Sequence, residues 1–378
     1  MGIFTRRTRN APAPAVSSRR ARRSRGLEPY TMASRPSFGQ WLKATWLDIF
    51  TMIVLGAIGL GVYFAKPAPT RSFPVTFSDG EVVWPSVAYP LRREIIPIWL
   101  AAFLAAMVPI VVILFCQVRI RSFWDVNNAI LGLLYSLITA AVFQVFVKWL
   151  IGGLRPHFLD VCKPDLSLVS NAPGAFGAGL NGKGFNGIFY TREICTGDEK
   201  EINDSLESMP SGHSTAAFAG FVFLSLYLNG KLKVFSNYHP SMWKLAAVYA
   251  PILGAVLIAG ALTIDEFHHF HDILAGGIIG TVMAFSAYRM TYASVWDWRW
   301  NHIPLNRSVP FDFMAGHELS GATFTRSAAW GSGDRHGNAS GDSHGRRSWN
   351  GTRKEVPVQG GGTGVPVAHT RPTGDQMV

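Results

Sequence analysis

Long apolar runs broken by short polar stretches constrain this chain more than any other feature. Six of them, at about 49–65, 95–118, 126–152, 213–228, 245–262 and 272–288, alternate with charged or Pro- and Gly-rich segments. Several reach the eighteen to twenty residues that a helix needs to cross the roughly 30 Å apolar core of a bilayer. The expected fold is therefore all-α, a six-helix transmembrane bundle. Trp46, Tyr63, Trp296, Trp298 and Trp300 fall where interfacial aromatic residues belong. Pro97 suits the first turn of the second span, and Pro109 is expected to kink it.

The material outside the spans is of a different kind. Residues 1–44 form a basic, Arg-, Ala-, Pro- and Ser-rich tail that cannot build a core; residues 45–292 form the membrane domain, with a long outer loop at 156–209 punctuated by Gly174, Gly177, Gly179, Gly182 and Gly184; residues 293–378 read as a second disordered tail. The formal charge of +11 owes much to arginines ahead of the first span, among them Arg6, Arg19, Arg22 and Arg35. That position suits orientation and anionic lipid, so a nucleic-acid partner is not expected. The first apolar run begins too late for a secretory signal, and Arg6 spoils an acylation signal at Met1-Gly2. The repeat around Gly333 and Gly341, with His336 and His344, reads as low complexity rather than a metal site.

Alternating six helices places both tails, the Arg119/Arg121 turn and the Lys231/Lys233 turn on the cytoplasmic side, with Arg92 and Arg93 as exceptions to the charge rule. Three polar clusters then share the opposite face, toward lumen or exterior: Lys148 with Arg155-Pro156, Pro210-Ser211-Gly212-His213, and the stretch from Ala261 to Asp272. Cys116 is read as a small apolar residue. Cys162 and Cys195 share the outer loop, where a disulfide is an open question, and Asn203-Asp204-Ser205 is a glycosylation sequon on the same side.

The clusters favour an anionic, phosphate-like ligand. Lys148 and Arg155 stand two helical turns apart on one face, a point charge and a forked donor that can converge on phosphate oxygens. Ser211 offers a hydroxyl, Gly212 lets a ligand approach the backbone, and the following helix start presents amides. His213 can give a proton to a departing alkoxide. His268 and Asp272 are spaced by one helical turn, so the carboxylate can fix the imidazole tautomer while the other nitrogen attacks phosphorus. Spacing leaves His269 and His271 as rivals and a metal pair open. Asp265 and Glu266 are read as solvated interface residues.

These residues resemble the catalytic motifs of the type 2 phosphatidic acid phosphatase family, the lipid phosphate phosphatases, which are related to vanadium haloperoxidases; the similarity is to a fungal-type diacylglycerol pyrophosphate phosphatase in particular. The resemblance covers about residues 46–290, through Lys148, six residues and Arg155-Pro156, and through Pro210-Ser211-Gly212-His213. It implies His268 as the phosphorylated nucleophile, Asp272 as its orienting partner and His213 as general acid. Lys148, Arg155, Ser211 and Gly212 would bind the phosphoryl group, without metal or cofactor. The third motif departs: Ala261-Leu262 stands where the family has Ser-Arg, so one phosphate-binding cation is missing, with His157, His269 and His271 as substitutes on the same side.

The expected function is a multi-pass membrane phosphatase acting on phosphatidic acid or diacylglycerol pyrophosphate at the extracytoplasmic face. Leu262 motivates an alternative, a weakened or silent relative that binds or moves lipid phosphates. A coupled transporter using Lys148 fits less well, because the polar residues gather at one face rather than at the midplane. Oligomeric state is not specified by the sequence.

Overall fold

The computed structural model describes residues 35–313 apart from 66–71, 77–79, 170–181, 183, 185, 186 and 238. Most of the basic N-terminal residues, Gly174, Gly177, Gly179 and the Gly333/Gly341 repeat with His336 and His344 lie outside the described residues. Eight helices follow in order: α1 (Phe38–Tyr63), α2 (Ile98–Ile120), α3 (Phe123–Ile151), α4 (Phe158–Cys162), α5 (Glu199–Ser205), α6 (Gly212–Leu232), α7 (Met242–Ile264) and α8 (Phe270–Thr291). All but α4 and α5 are long and apolar enough to cross a membrane, six in all, as the hydrophobic runs require. The protein is a multi-pass helical membrane protein.

Helix ends follow local chemistry. Ser37 caps α1 in a reciprocal box with Gln40, which starts that helix well ahead of the apolar run expected at 49. Ser122 caps α3 by accepting from the Asp125 amide. α2 continues through Pro109, and α7 contains Pro251 in the same way.

The bundle is built around α6. Its apolar window is 72% buried, against 11% for α1, so α6 is the central helix and α1 a peripheral one. Close approach to α6 depends on glycines. A Cβ at Gly276 would come within 2.5 Å of the Ser211 carbonyl oxygen, one at Gly280 within 2.5 Å of the Thr215 carbonyl, and one at Gly220 within 2.1 Å of the Ala105 carbonyl. Small residues at these points let backbones touch where no aqueous hydrophobic effect drives association.

The stretch expected as a loop at 156–209 is partly structured. It carries α4 and α5, and its strand β2 (Phe189–Tyr190) pairs antiparallel with β1 (Phe73–Pro74) from the connection between α1 and α2. Phe73, Val75, Phe158, Ile194, Ile202 and Leu206 form a separate apolar core there. A disulfide joins Cys162 to Cys195, answering the question left open by the sequence. Cys116 is a buried free thiol.

At the other end of the bundle the structure corrects an assumption about charge. Lys231 and Lys233, counted as surface charges of a turn, are fully buried. Lys231 Nζ contacts Asp125 Oδ1 at 2.5 Å and the His302 carbonyl at 3.0 Å; Lys233 Nζ reaches the Trp298 carbonyl, Asn301 Oδ1 and His302 Nδ1. Tyr227 and Tyr292 also donate to the Asp125 carboxylate. The chain after α8 is consequently packed: Tyr292 pairs with Pro304, and Asn301 and His302 are buried, so the expected tail boundary at 293 falls before this packed stretch.

Candidate active site

Three helix ends bring the polar clusters to one end of the bundle. α3 delivers Lys148 in its last turn but ends at Ile151, where Gly152 and Gly153 take positive φ, so Arg155 lies in the segment beyond and not two turns along the same helix as expected. Ser211 caps α6 and hands the chain to Gly212 and His213. His268 lies in the turn between α7 and α8, and Asp272 in the first turn of α8. A backbone bond from the Ser211 amide to the Asp272 carbonyl, 3.0 Å, ties the second cluster to the third. Ser214 Oγ adds a bond to the Ile273 carbonyl.

The rings of His213 and His268 lie 6.4 Å apart between centroids, edge to face. His268 turns Nδ1 toward Asp272 Oδ2 at 3.7 Å, an ion-pair distance, which leaves Nε2 for a reacting group. Ser208, which the motif reading missed, donates to the same carboxylate oxygen at 2.5 Å and lies 3.4 Å from His268 Nδ1. The His269 amide donates to Asp272 Oδ2 at 3.0 Å, so this carboxylate is held from several directions. Burial holds His268 well below the usual imidazole range, at about 3, against the opposing pull of Asp272; Arg155 and Lys148 push the same way as burial.

The cations are met by carboxylates of the outer segment. Arg155, almost fully buried, pairs with Asp204 of α5 at 2.8 Å and lies over the Phe267 ring at 5.5 Å. Lys148 Nζ is 3.9 Å from Glu207, whose carboxyl burial pushes upward against the pull of Lys148. Arg155 Nε, His213 Nε2 and Asp272 Oδ1 are buried without a hydrogen-bond partner. Such atoms are costly unless satisfied. All three come from the clusters expected to face an anion, and phosphate oxygens would suit the arginine donor.

Gly212 needs no glycine on account of its protein neighbours, since a Cβ there would meet Ile98 and Gln144 at ordinary contact distances of 3.5 Å and beyond. Leu262, at the position of the missing arginine, is fully buried among Ala259, Phe267, Ile273 and Phe218. Of the substitutes considered, His157 is buried, its ring 4.8 Å from Phe267 and its Nδ1 3.2 Å from the Glu266 carbonyl. Burial pushes the His157 imidazole down as well. His269 and His271 stack on one another at 5.1 Å at the rim, beside Asp272.

Asp265 corrects the expectation of a solvated residue. It is buried and accepts the Ile95 amide at 3.1 Å and the Phe267 amide at 3.3 Å. Glu266 pairs with Arg92 at 3.2 Å. Ligand atoms of His269, His271 and Asp272 all lie within 4.8 Å of one another, a set that could hold a metal ion, although Asp272 Oδ2 already serves Ser208 and the His269 amide.

Comparison with known proteins finds related chains. Residues 129–296 match the PAP2 superfamily. The chain is 34% identical to a PA-phosphatase related-family protein of Dictyostelium discoideum over 69% of its own length and 72% of the relative's. It is 31% identical to lipid phosphate phosphatase 1 of Arabidopsis thaliana, over 65% and 67%, and 28% identical to diacylglycerol pyrophosphate phosphatase 1 of Saccharomyces cerevisiae, over 66% and 80%. No solved structure matches it.

Proposed function

The chain belongs to the PAP2 superfamily, as a membrane relative of the lipid phosphate phosphatases, and from that premise we propose that it hydrolyses phosphatidic acid or diacylglycerol pyrophosphate through a phosphohistidine at the extracytoplasmic face. The observation that carries the proposal is the pair of imidazoles 6.4 Å apart, with one ring braced by a carboxylate.

In this reading Lys148, Arg155, Ser211 and Gly212 hold the phosphoryl oxygens. Nε2 of His268 attacks phosphorus in line with the leaving oxygen; the P–O bond breaks as His213 donates its proton to that oxygen. Water then attacks the phosphohistidine, His213 takes the proton back, and the P–N bond breaks to release inorganic phosphate. Asp272 fixes the His268 tautomer and stabilises its positive charge. The disulfide in the same outer segment supports an oxidising compartment on that side. A site at the end of the bundle lets an amphiphile keep its chains in lipid.

Leu262 favours a second reading, a relative that binds or moves lipid phosphates with little turnover, because one cation of the family's site is replaced by a buried apolar side chain. Phosphate release by purified protein in detergent, with chelator present, separates them. Turnover that persists in chelator and is lost in His213→Ala and His268→Ala supports the enzyme; dependence on added divalent metal would count against this mechanism, and binding without turnover would favour the second reading.

A further inference from the structure

Resting on the phosphatase reading above, we infer that Glu94, in the segment ahead of α2, is the positioning residue that stabilises and orients the protonated form of His213. Glu94 Oε1 lies 3.9 Å from His213 Nε2. Among the described residues it is the carboxylate within ion-pair reach of that ring. Nε2 itself is buried without a hydrogen-bond partner, and the Ile96 backbone, two residues from Glu94, also acts on the ring. One short segment therefore meets the imidazole through two of its residues.

The same segment is fixed to the third cluster. The Ile95 amide donates to Asp265 Oδ2 at 3.1 Å, Arg92 Nη1 donates to the Ile264 carbonyl at 3.3 Å, and Arg92 Nε pairs with Glu266 at 3.2 Å. These contacts explain why Asp265 is buried, and they set the carboxylate of Glu94 at the height of the ring. The electrostatic need is plain. His213 shares its pocket with Arg155 and Lys148, and an imidazolium buried beside two cations requires an anion. Asp204 and Glu207 are already paired with Arg155 and Lys148, and Asp272 with His268. Glu94 also feels Arg155, and it is the carboxylate placed within ion-pair reach of the His213 ring.

The chemistry balances without an added reactant. In the first half-reaction the Nε2 proton passes to the leaving oxygen as the P–O bond breaks, leaving neutral His213 beside Glu94. In the second, Nε2 takes a proton from the attacking water as the P–N bond breaks, and the imidazolium–carboxylate pair is restored. Glu94 touches no substrate atom in either step.

The test compares two lipid substrates that differ in how far their leaving group needs a proton. Phosphatidic acid expels an alkoxide, whereas the terminal phosphate of diacylglycerol pyrophosphate leaves from a phosphate oxygen that needs little protonation. For Glu94→Gln we expect the rapid-quench rate of protein labelling from phosphatidic acid to fall about ten- to a hundredfold, and that from diacylglycerol pyrophosphate to change by no more than about twofold, because only the first half-reaction differs between the two substrates. The retained labelling from diacylglycerol pyrophosphate shows that the variant folds. Equal loss on both substrates, or no loss on either, overturns the inference. Wild-type protein that releases phosphate from neither overturns the phosphatase reading, and the inference with it.

Discussion

The ring of His213 stands 6.4 Å from that of His268, the two presented by different helix ends and held together by the bond from the Ser211 amide to the Asp272 carbonyl. A tetrahedral phosphorus with its entering and leaving groups fits between rings so spaced. The division of labour proposed for the pair therefore makes separable predictions.

His268→Ala is expected to abolish both turnover and acid-labile labelling of the protein from a lipid carrying a radioactive phosphate. His213→Ala should slow phosphatidic acid turnover about a hundred- to ten-thousandfold, the range for loss of a general acid, while still becoming labelled. Rapid-quench labelling distinguishes the two. Labelling that survives His268→Ala would move the nucleophile elsewhere, with His269 the nearest rival.

Leu262→Arg restores the family's cation. Losing one preorganised donor costs roughly a hundred- to a thousandfold elsewhere, so turnover should rise at least several-fold. Thermal stability should fall, because Leu262 packs fully buried against Phe267. A folded variant with unchanged turnover would mean that the remaining groups already hold the phosphate in place.

Acidification should destabilise the protein through its buried imidazoles. His268 is held at about 3 and His157 below the usual imidazole value, in both cases chiefly by burial. Between the ordinary value near 6.5 and the folded value the unfolded chain binds more protons, so stability is full above about 6.5 and is lost as pH falls toward 3. Unfolding temperatures measured in detergent should drop across that window, and less so in His157→Phe. A flat profile would contradict the burial of these rings.

The Asp125–Lys231 contact at the far end is completely enclosed. Lys231→Met alone leaves the buried Asp125 charge without its cation, although Tyr227 and Tyr292 still donate to it, and should cost about 3–5 kcal/mol. Asp125→Asn combined with Lys231→Met should recover much of that loss, as read from unfolding in denaturant. Additive losses would show that the two residues act independently.

The sequence displays some of this and hides the rest for physical reasons. Six apolar blocks force six helices because lipid leaves backbone polar groups no other partner, and the spacing of Lys148, Arg155, Ser211 and His213 marks helix ends. Ser208 is invisible because a lone serine ahead of a motif has no periodicity to betray it. Glu94 and Asp265 matter only through a contact between distant segments, which no local pattern encodes. Lys231 and Lys233 mislead for a related reason: lysines at a helix end look like surface charges until Asp125 and the chain after α8 enclose them.

The glycine contacts between α6 and α8 carry a consequence for substrate choice. With Gly276 set against the Ser211 carbonyl, the serine cap and the carboxylate helix are locked as one rigid block. Under the proposed mechanism, head groups of different bulk are then accommodated by the outer segments that bear Glu94, Asp204 and Glu207, so variation there should retune selectivity while the proposed imidazole pair keeps its place.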